Sequence, residues 1–562
     1  AQPVAVRPLG RMRDIAVGGL ELDGATYDAA ARTLHVVTQI EVEVTFAGGG
    51  TFGRRDAISP WNRAAVPAYA GLVNWQAAAG QLEPVALPDC GVELMIIPSP
   101  ALPPAADELA AARRAAGFST SVGEVGSGPK QLGTTASAIQ RAIRRQLAAL
   151  CVRRPSYVAI VGDVDEVPTF LVPTPDALTG WDGLIATDNP YGLADDADLL
   201  PDLAVGRIPA RTLQHARIAV RKIVGYETAG PADAAFYRNA TVTSYFQADT
   251  YADDSPHRYD ARGFTLTSET IARALEAERK TVDRVYVADA TSHPTYYLDG
   301  TAMPPSLRWP STIWNGTGAD VMAGWSAGRF LVIHRDHGAP DAWGSPDVLI
   351  RDVAALRNGA LLPVVLAINC ASGMFDAAEQ SIVERMVMQR GGGAVGAIAD
   401  SRNSNTSAND QLALGLVDAM FPRTLPGVGP TTAIRRMGDV LVAGKAYMAT
   451  QTGVLYQDAG ATESELSLYQ WFGDPTMEIR TSASPAFPLG RDLVAFRHGR
   501  LELRRGRIPR GSWVTALRDG RPVARGRLTG QRLRLAATRR PGSELRLVVE
   551  APGGRSRSLR IR

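Results

Sequence analysis

Unbroken apolar runs fill the middle of the chain, and alternating apolar and polar positions fill its two ends. Near the start, Thr33-Leu-His-Val-Val-Thr-Gln-Ile-Glu-Val-Glu-Val-Thr-Phe46 alternates over much of its length, the period-two pattern of a half-buried strand, until Ala47-Gly-Gly-Gly50 ends it. The segment up to about residue 86 therefore reads as β, and Pro84 and Pro88 fall in a linker. From residue 90 the rhythm changes. Short apolar runs at 92–97, 157–161, 203–205, 240–244, 284–287, 329–333, 363–368 and 393–398 predict strands. Helical stretches at 107–116, 135–150, 213–226, 269–277 and 377–389 lie among them. Strands that are nearly all apolar and alternate with helices predict an α/β unit whose mostly parallel sheet is covered on both faces. In such sheets the ligand site lies beyond the carboxyl ends of the strands. From about residue 484, short alternating strands return at 501–503, 513–517, 532–535 and 545–550, separated by Asp-Gly, Thr-Gly and Pro-Gly turns, which predicts a small β-sandwich.

Composition narrows the class. At 562 residues the chain exceeds what one hydrophobic core can organise, so three or four domains are expected. No run of 18 apolar residues occurs, which predicts no transmembrane helix. A net charge of +3 gives no reason to invoke nucleic acid. The last 75 residues carry an arginine excess, which reads as a solvated surface or as a face that docks on an acidic polymer or membrane. The chain opens at Ala1 with neither Met nor an apolar leader, which fits a mature secreted product or a recombinant one.

Three cysteines, Cys90, Cys151 and Cys370, make neither a disulfide framework nor a Cys-x-x-Cys zinc site. At most one bridge can form, and Cys90 with Cys151 is the expected pair. Cys370 is then left over, as a nucleophile or as a small buried hydrophobe. Its context matters. Strand 329–333 runs into His334-Arg-Asp-His-Gly338, and strand 363–368 runs into Asn369-Cys-Ala-Ser-Gly373. Both place a reactive side chain just past an apolar strand. A thiol attacks as thiolate, and a nearby imidazole can take its proton. The backbone amides of Gly338 and Cys370 are natural donors to the oxyanion that attack creates.

Several motifs occur in a fixed order: Tyr157-Val-Ala-Ile-Val-Gly-Asp163, Pro201-Asp-Leu-Ala-Val-Gly-Arg-Ile-Pro-Ala-Arg211, His337-Gly338 with Trp343 behind, Pro363-Val-Val-Leu-Ala-Ile-Asn-Cys370 with Gly373 and Phe375, Gly391-Gly-Gly-Ala-Val-Gly-Ala-Ile398, and Phe472-Gly-Asp-Pro-Thr476. Over roughly residues 90–480 this series resembles the gingipain family of cysteine peptidases. The resemblance implies a caspase-like, mostly parallel α/β sheet in two side-by-side subdomains, expected at 87–232 and 233–482. It also implies an N-terminal β domain, 1–86, placed like that family's propeptide, and a C-terminal immunoglobulin-like β-sandwich, 483–562. Carried over by motif, Cys370 is the nucleophile, His337 the general base, and Gly338 and Cys370 the oxyanion donors. His334 competes for the role of base, and His337 is favoured because it directly precedes Gly338.

The chain departs from the family pattern in two places that bear on chemistry. Where Arg-specific members place an acid to assist the histidine, this chain has Gln247, with Asp249 two residues on. Where they bind the P1 arginine with an acid, Arg262 or Phe264 falls here, with Asp260 nearby, and Asn405 or Thr406 stands near the place of a pocket tryptophan. Arg-Xaa cleavage is therefore not expected. Arg262 or Arg402 would favour an acidic P1 residue, and Trp343, Arg262, Asp400 and Arg402 are the candidate substrate contacts. Asp188, Asp195, Asp196, Asp198 and Asp202 form a carboxylate-rich stretch that suits structural calcium or a solvated turn. No cofactor is required for the chemistry.

The expected function is a secreted or surface-exposed endopeptidase acting on protein or peptide. Made as a zymogen, it would hold its N-terminal domain as inhibitor until cleavage between residues 54 and 90, where Arg54, Arg55 and Arg63 lie. Two alternatives use the same fold: a sortase-like transpeptidase with the same site, and an inactive surface binding protein. A serine hydrolase is disfavoured by the lack of a suitably placed Gly-x-Ser-x-Gly.

Overall fold

A computed structural model describes residues 4–45, 53, 59–62, 69, 71–174, 183–250, 256–425, 429–451, 460–483, 486–552 and 556–561. The apolar runs of the middle segment assemble into one ten-stranded sheet. Its strands are β1 (Leu94–Pro98), β2 (Thr120–Val122), β3 (Tyr157–Val161), β4 (Ala204–Ile208), β5 (Asn239–Phe246), β6 (Thr281–Ala288), β7 (Leu331–Arg335), β8 (Val364–Ile368), β9 (Gly396–Asp400) and β10 (Tyr469–Phe472). They lie in the order β6-β5-β7-β8-β9-β10-β4-β3-β1-β2. Strands β1, β3, β7, β8 and β9 are buried at every position. That is why they read as continuous apolar runs: helices cover both faces, so neither face needs polar residues. All neighbours pair in parallel except β9 and β10, which run antiparallel from Ala397↔Phe472 to Asp400↔Tyr469. The same Phe472 pairs with Arg207 of β4, so β10 joins the two halves into one continuous sheet.

Helix limits differ from the sequence expectation where local chemistry decides them. The helix expected from Asp107 begins at Pro103, since a proline in the first turn loses no helical hydrogen bond. The one expected at 377–389 shortens to Ile382–Met388, started by the reciprocal Ser381–Glu384 capping box. At the N-terminus, only Thr33–Val36 of the predicted 33–46 strand forms, paired with Ala25–Asp28. All eight residues of that hairpin are exposed, so no covering layer rewards further pairing; Phe46 lies outside the described residues.

Ahead of it, Val4–Met12 and Ile15–Leu22 form an antiparallel hairpin whose tip docks on the first half of the sheet domain. There the Arg13 amide donates to Asp202 and its guanidinium reaches Ser156 Oγ at 3.2 Å, while within the N-terminal segment itself Tyr69 OH donates to Met12 O at 2.8 Å. Cys90 and Cys151 form the expected disulfide.

The C-terminal segment builds two small antiparallel sheets, of three and four strands, around a separate core that includes Leu501, Leu503, Val514, Leu547 and Val549. It is fastened to the α/β unit by Arg525–Glu93, 2.9 Å apart with neither side chain more than 1% exposed, and by Arg436–Glu550 at 2.9 Å. Breaking a buried pair leaves an uncompensated charge, typically a loss of about 3–5 kcal/mol. Arg525→Met is therefore expected to lower the urea midpoint strongly, and the double variant with Glu93→Leu to recover most of it. Equal stability of the single variant and wild type would show that the pair contributes nothing to docking.

Candidate active site

Strands β7 and β8 are neighbours in register, with Arg335 paired to Ile368. Two residues beyond each end of that pair stand His337 and Cys370, so the sheet brings the two residues to adjacent strand ends. The two loops are pressed together: a Cβ at Gly338 would lie 2.7 Å from Cys370 O and 2.8 Å from Asn369 Cγ. After Cys370 the chain reverses sharply, with Ala371 in the left-handed region at φ 57. The turn is held by Ala371 N to Arg402 O, 2.9 Å, and Gly373 N to Asp400 O, 2.8 Å. A non-glycine residue in that region costs about 1–2 kcal/mol, which these bonds offset.

The two histidines differ in kind. His334 is wholly buried, stacked on Trp343 at 4.6 Å, and its Nδ1 accepts from Asn369 Nδ2 at 2.9 Å. Burial, with Arg335 and His337 nearby, holds its pKa down to about 3, so it stays neutral. His337 is half-exposed. Its Nε2 lies 3.0 Å from Gln247 Oε1, just past the end of β5. Phe264 meets the ring edge-to-face at 5.3 Å, and Tyr245 lies 6.5 Å away. Burial lowers its pKa, and the charges of Arg262 and Arg335 lower it further. With Nε2–H donated to Gln247, the lone pair sits on Nδ1, free to accept a proton. Gln247 thus supplies the hydrogen bond to the imidazole, while the Asp249 amide is held by Tyr259 O at 2.8 Å.

Cys370 is the free cysteine. Its Sγ lies 3.9 Å from Ser404 Oγ. Burial pushes the thiol up to about 11, the Asp400 carboxyl adds to this, and the Ser404 amide and hydroxyl act the other way. Ser404 is itself fixed: its hydroxyl donates to Asn369 O at 2.5 Å and accepts from Asn409 Nδ2 at 2.7 Å, and Tyr469 OH donates to Asn409 Oδ1 at 2.6 Å. Among the described residues Cys370 and His337 make no hydrogen bond to each other, as is common before substrate closes a site. Gly338 pairs with Trp343 in a short hairpin. There Gly344 N donates to His337 O at 2.8 Å, so 337/344 and 339/342 are the hydrogen-bonded pairs and the Gly338 N–H is not consumed by the ladder.

Sequence reasoning did not single out Ser404, Asn409, Tyr469 or Asp336. Of its candidate substrate contacts, Arg262 is exposed and near enough to His337 to lower its pKa. The others are corrected by burial. Trp343 is 1% exposed and turned onto His334; Asp400 is fully buried; Arg402 is buried and bidentate on Asp376, both bonds 2.7 Å.

The carboxylates considered for calcium do not converge. Asp188 makes a buried ion pair with Arg207, and Asp196 takes Arg144. Asp195 accepts from the Ala197 amide, Asp198 from Arg11 N, and Asp202 from Ala194 N and Arg13 N. Among the described residues no group of three or more His, Cys, Asp or Glu is placed to hold a metal ion, and no helix is long and apolar enough to cross a membrane.

Comparison with known proteins bears on the same part of the chain. A family model described as peptidase family C25 matches residues 88–480. Among curated proteins, Lys-gingipain HG66 and Lys-gingipain, both from Porphyromonas gingivalis, are 23% identical over 441 residues, 77% of this chain. The chain spans only 22% of the length of those relatives. Among solved structures, the Arg-specific cysteine proteinase gingipain R aligns with a TM-score of 0.65 at 17% identity, over 84% of this chain and 97% of that one. The complex of the pro- and mature domains of RgpB from Porphyromonas gingivalis gives 0.64 at 17%, over 84% and 99%. At such identity the structures establish a shared fold.

Proposed function

The chain belongs to peptidase family C25, and on that premise we propose that it is a secreted cysteine endopeptidase with Cys370 as nucleophile and His337 as base. The observation that carries this reading is the β7–β8 register, which sets the two side chains at adjacent strand ends with Gly338 against the Cys370 carbonyl. His337, its Nε2–H held by Gln247, takes the thiol proton on Nδ1. The thiolate attacks the scissile carbonyl, and the amides of Gly338 and Cys370 receive the developing oxyanion. The imidazolium then protonates the leaving amine, and water hydrolyses the thioester. Adding hydroxylamine or an amino-acid amide during turnover tests the last step. Hydrolysis products alone are expected; an amide adduct as main product would instead identify a transpeptidase.

Substrate choice follows from the exposed cation at the lip of the site. Arg262 favours an acidic side chain at P1, so a peptide library is expected to show Asp or Glu there. Arg262→Ala should lower kcat/KM for those peptides about tenfold or more. An unchanged preference would remove Arg262 from recognition. The Cys90–Cys151 disulfide suits an oxidising compartment, in keeping with secretion.

Residues 1–86 are read as a pro-segment anchored through Arg13, whose amide donates to Asp202 and whose guanidinium reaches Ser156. The hairpin tip bonds Asp198, Asp202 and Ser156 of the first half of the sheet domain, Arg7 reaches Ala449 O of the second half at 3.4 Å, and Trp61 lies under Arg525 of the C-terminal segment, so inhibition by the pro-segment would act by clamping these parts together. The arginines considered for processing, Arg54, Arg55 and Arg63, lie outside the described residues.

A further inference from the structure

A buried carboxyl group sits beside the base. Asp336 follows β7, is 2% exposed, and has Oδ1 4.0 Å from His337 Nε2. It packs against the return of the 338–343 hairpin, where a Cβ at Gly344 would lie 3.1 Å from Asp336 Oδ2 and 3.0 Å from His337 Cβ. The amides of His337 and Ser345 face it. The neighbouring guanidinium is already engaged, since Arg335 bonds Asp410 Oδ1 at 2.8 Å and Thr406 O at 2.8 Å. Among the described residues the ionisable cation paired with Asp336 is the imidazole, Nε2 to Oδ1 4.0 Å. That imidazole also contacts Gln247, a neutral amide that can orient it and cannot balance its charge.

We propose that Asp336 is a positioning residue for His337, whose carboxylate stabilises the imidazolium formed when the thiol proton leaves Cys370. The inference rests on His337 being the base. It involves no proton transfer to Asp336: the proton passes from Sγ to the imidazole, and the carboxylate, 4.0 Å from Nε2, stays as fixed negative charge. Around Asp336 stand Arg335 and the backbone amides of His337 and Ser345, which favour its ionised form, and Asp347, which opposes it. Around the imidazole, Arg262 and Arg335 both oppose a positive charge. On the β5 side lies Tyr245, whose hydroxyl donates to Asp289 at 3.0 Å. Burial raises the Asp336 pKa to about 7, so the group is neutral in mild acid and ionised at pH 8. A folded-state pKa raised above the unfolded one contributes stability at low pH that is lost as pH rises to about 7. Asp336→Asn, which keeps the carbonyl oxygen for the two amides, is therefore expected to stabilise the fold at pH 8 while it weakens the base. A merely structural acceptor would not produce those opposite signs.

The test is the rate of Cys370 alkylation by iodoacetamide on the full chain, from pH 5.5 to 8.5, for wild type, Asp336→Asn, His337→Ala and Asp336→Asn with Gln247→Glu. Cys370 is the free thiol, so the readout needs no substrate. Asp336→Asn should match wild type at pH 5.5 and fall about tenfold behind at pH 8. Its melting temperature at pH 8 should be equal or higher, and Gln247→Glu should restore the rate by returning an anion to the imidazole. An Asp336→Asn profile that follows wild type throughout, while His337→Ala is slow, overturns the role of Asp336 alone. A loss equal at both ends of the pH range, or one that Gln247→Glu does not recover, also overturns it and marks a packing role. A His337→Ala profile matching wild type would instead overturn the reading of His337 as base.

Discussion

Cys370→Ala is expected to abolish cleavage across a peptide library, with turnover lowered by about 10⁵-fold or more. The size follows from the chemistry, because no other side chain at the site can form the thioester. Ser404 has the nearest hydroxyl, but it is held between Asn369 O and Asn409 and serves as support. Folding should hardly change, since the substitution removes one small atom and breaks no ion pair, a loss on the order of 1 kcal/mol. Thermal melts of the two proteins should therefore nearly coincide while activity separates them. Cleavage that survives in the variant would require a different nucleophile.

His337→Ala is expected to slow acylation by about 10²–10⁴-fold at neutral pH, and the loss should shrink as pH rises. A thiol pushed up to about 11 by burial and Asp400 is ionised to roughly 3 parts in 10,000 at pH 7.5. It depends on an acceptor for its proton. Without the imidazole, the thiolate fraction grows about tenfold per pH unit below that pKa, so the variant's rate should climb steeply toward pH 9 while wild type levels off. The sign follows from the raised thiol pKa; a thiol already ionised at neutral pH would give a flat profile. Parallel profiles for variant and wild type would place the base elsewhere. His334 is no substitute, because it is buried, stacked on Trp343 and held neutral.

The parts of the fold that could be read from the chain are those where one local rule dominated. Tyr157–Val161 and Leu545–Glu550 form strands with the limits their patterns imply. Cys370 and His337 were visible because each follows an apolar strand. What brings them together, the pairing of Arg335 with Ile368, is a long-range register that no local pattern encodes. The supports were hidden for the same reason: Ser404, Asn409 and Tyr469 come from beyond β9, from a helix and from β10. The helices Thr406–Met420 and Met437–Thr450 were missed because they are buried on most sides and show no polar face to mark a helical period. Trp343 misled in the opposite way. An aromatic residue close behind the histidine suggests a substrate wall, yet the tight 338–343 hairpin turns it inward onto His334. The strand expected at 33–46 failed past Val36 because alternation predicts a buried face only when another layer arrives to bury it.

The central claim, that Cys370 is activated by His337 for acyl transfer, is tested most directly by treating the full chain with a peptidyl chloromethyl ketone and mapping the adduct by mass spectrometry, before and after limited proteolysis between residues 54 and 90. The predicted result is a single adduct on the peptide containing Cys370, absent in Cys370→Ala and formed far more slowly in His337→Ala. An adduct on another residue, or none on Cys370 in either form, would contradict it.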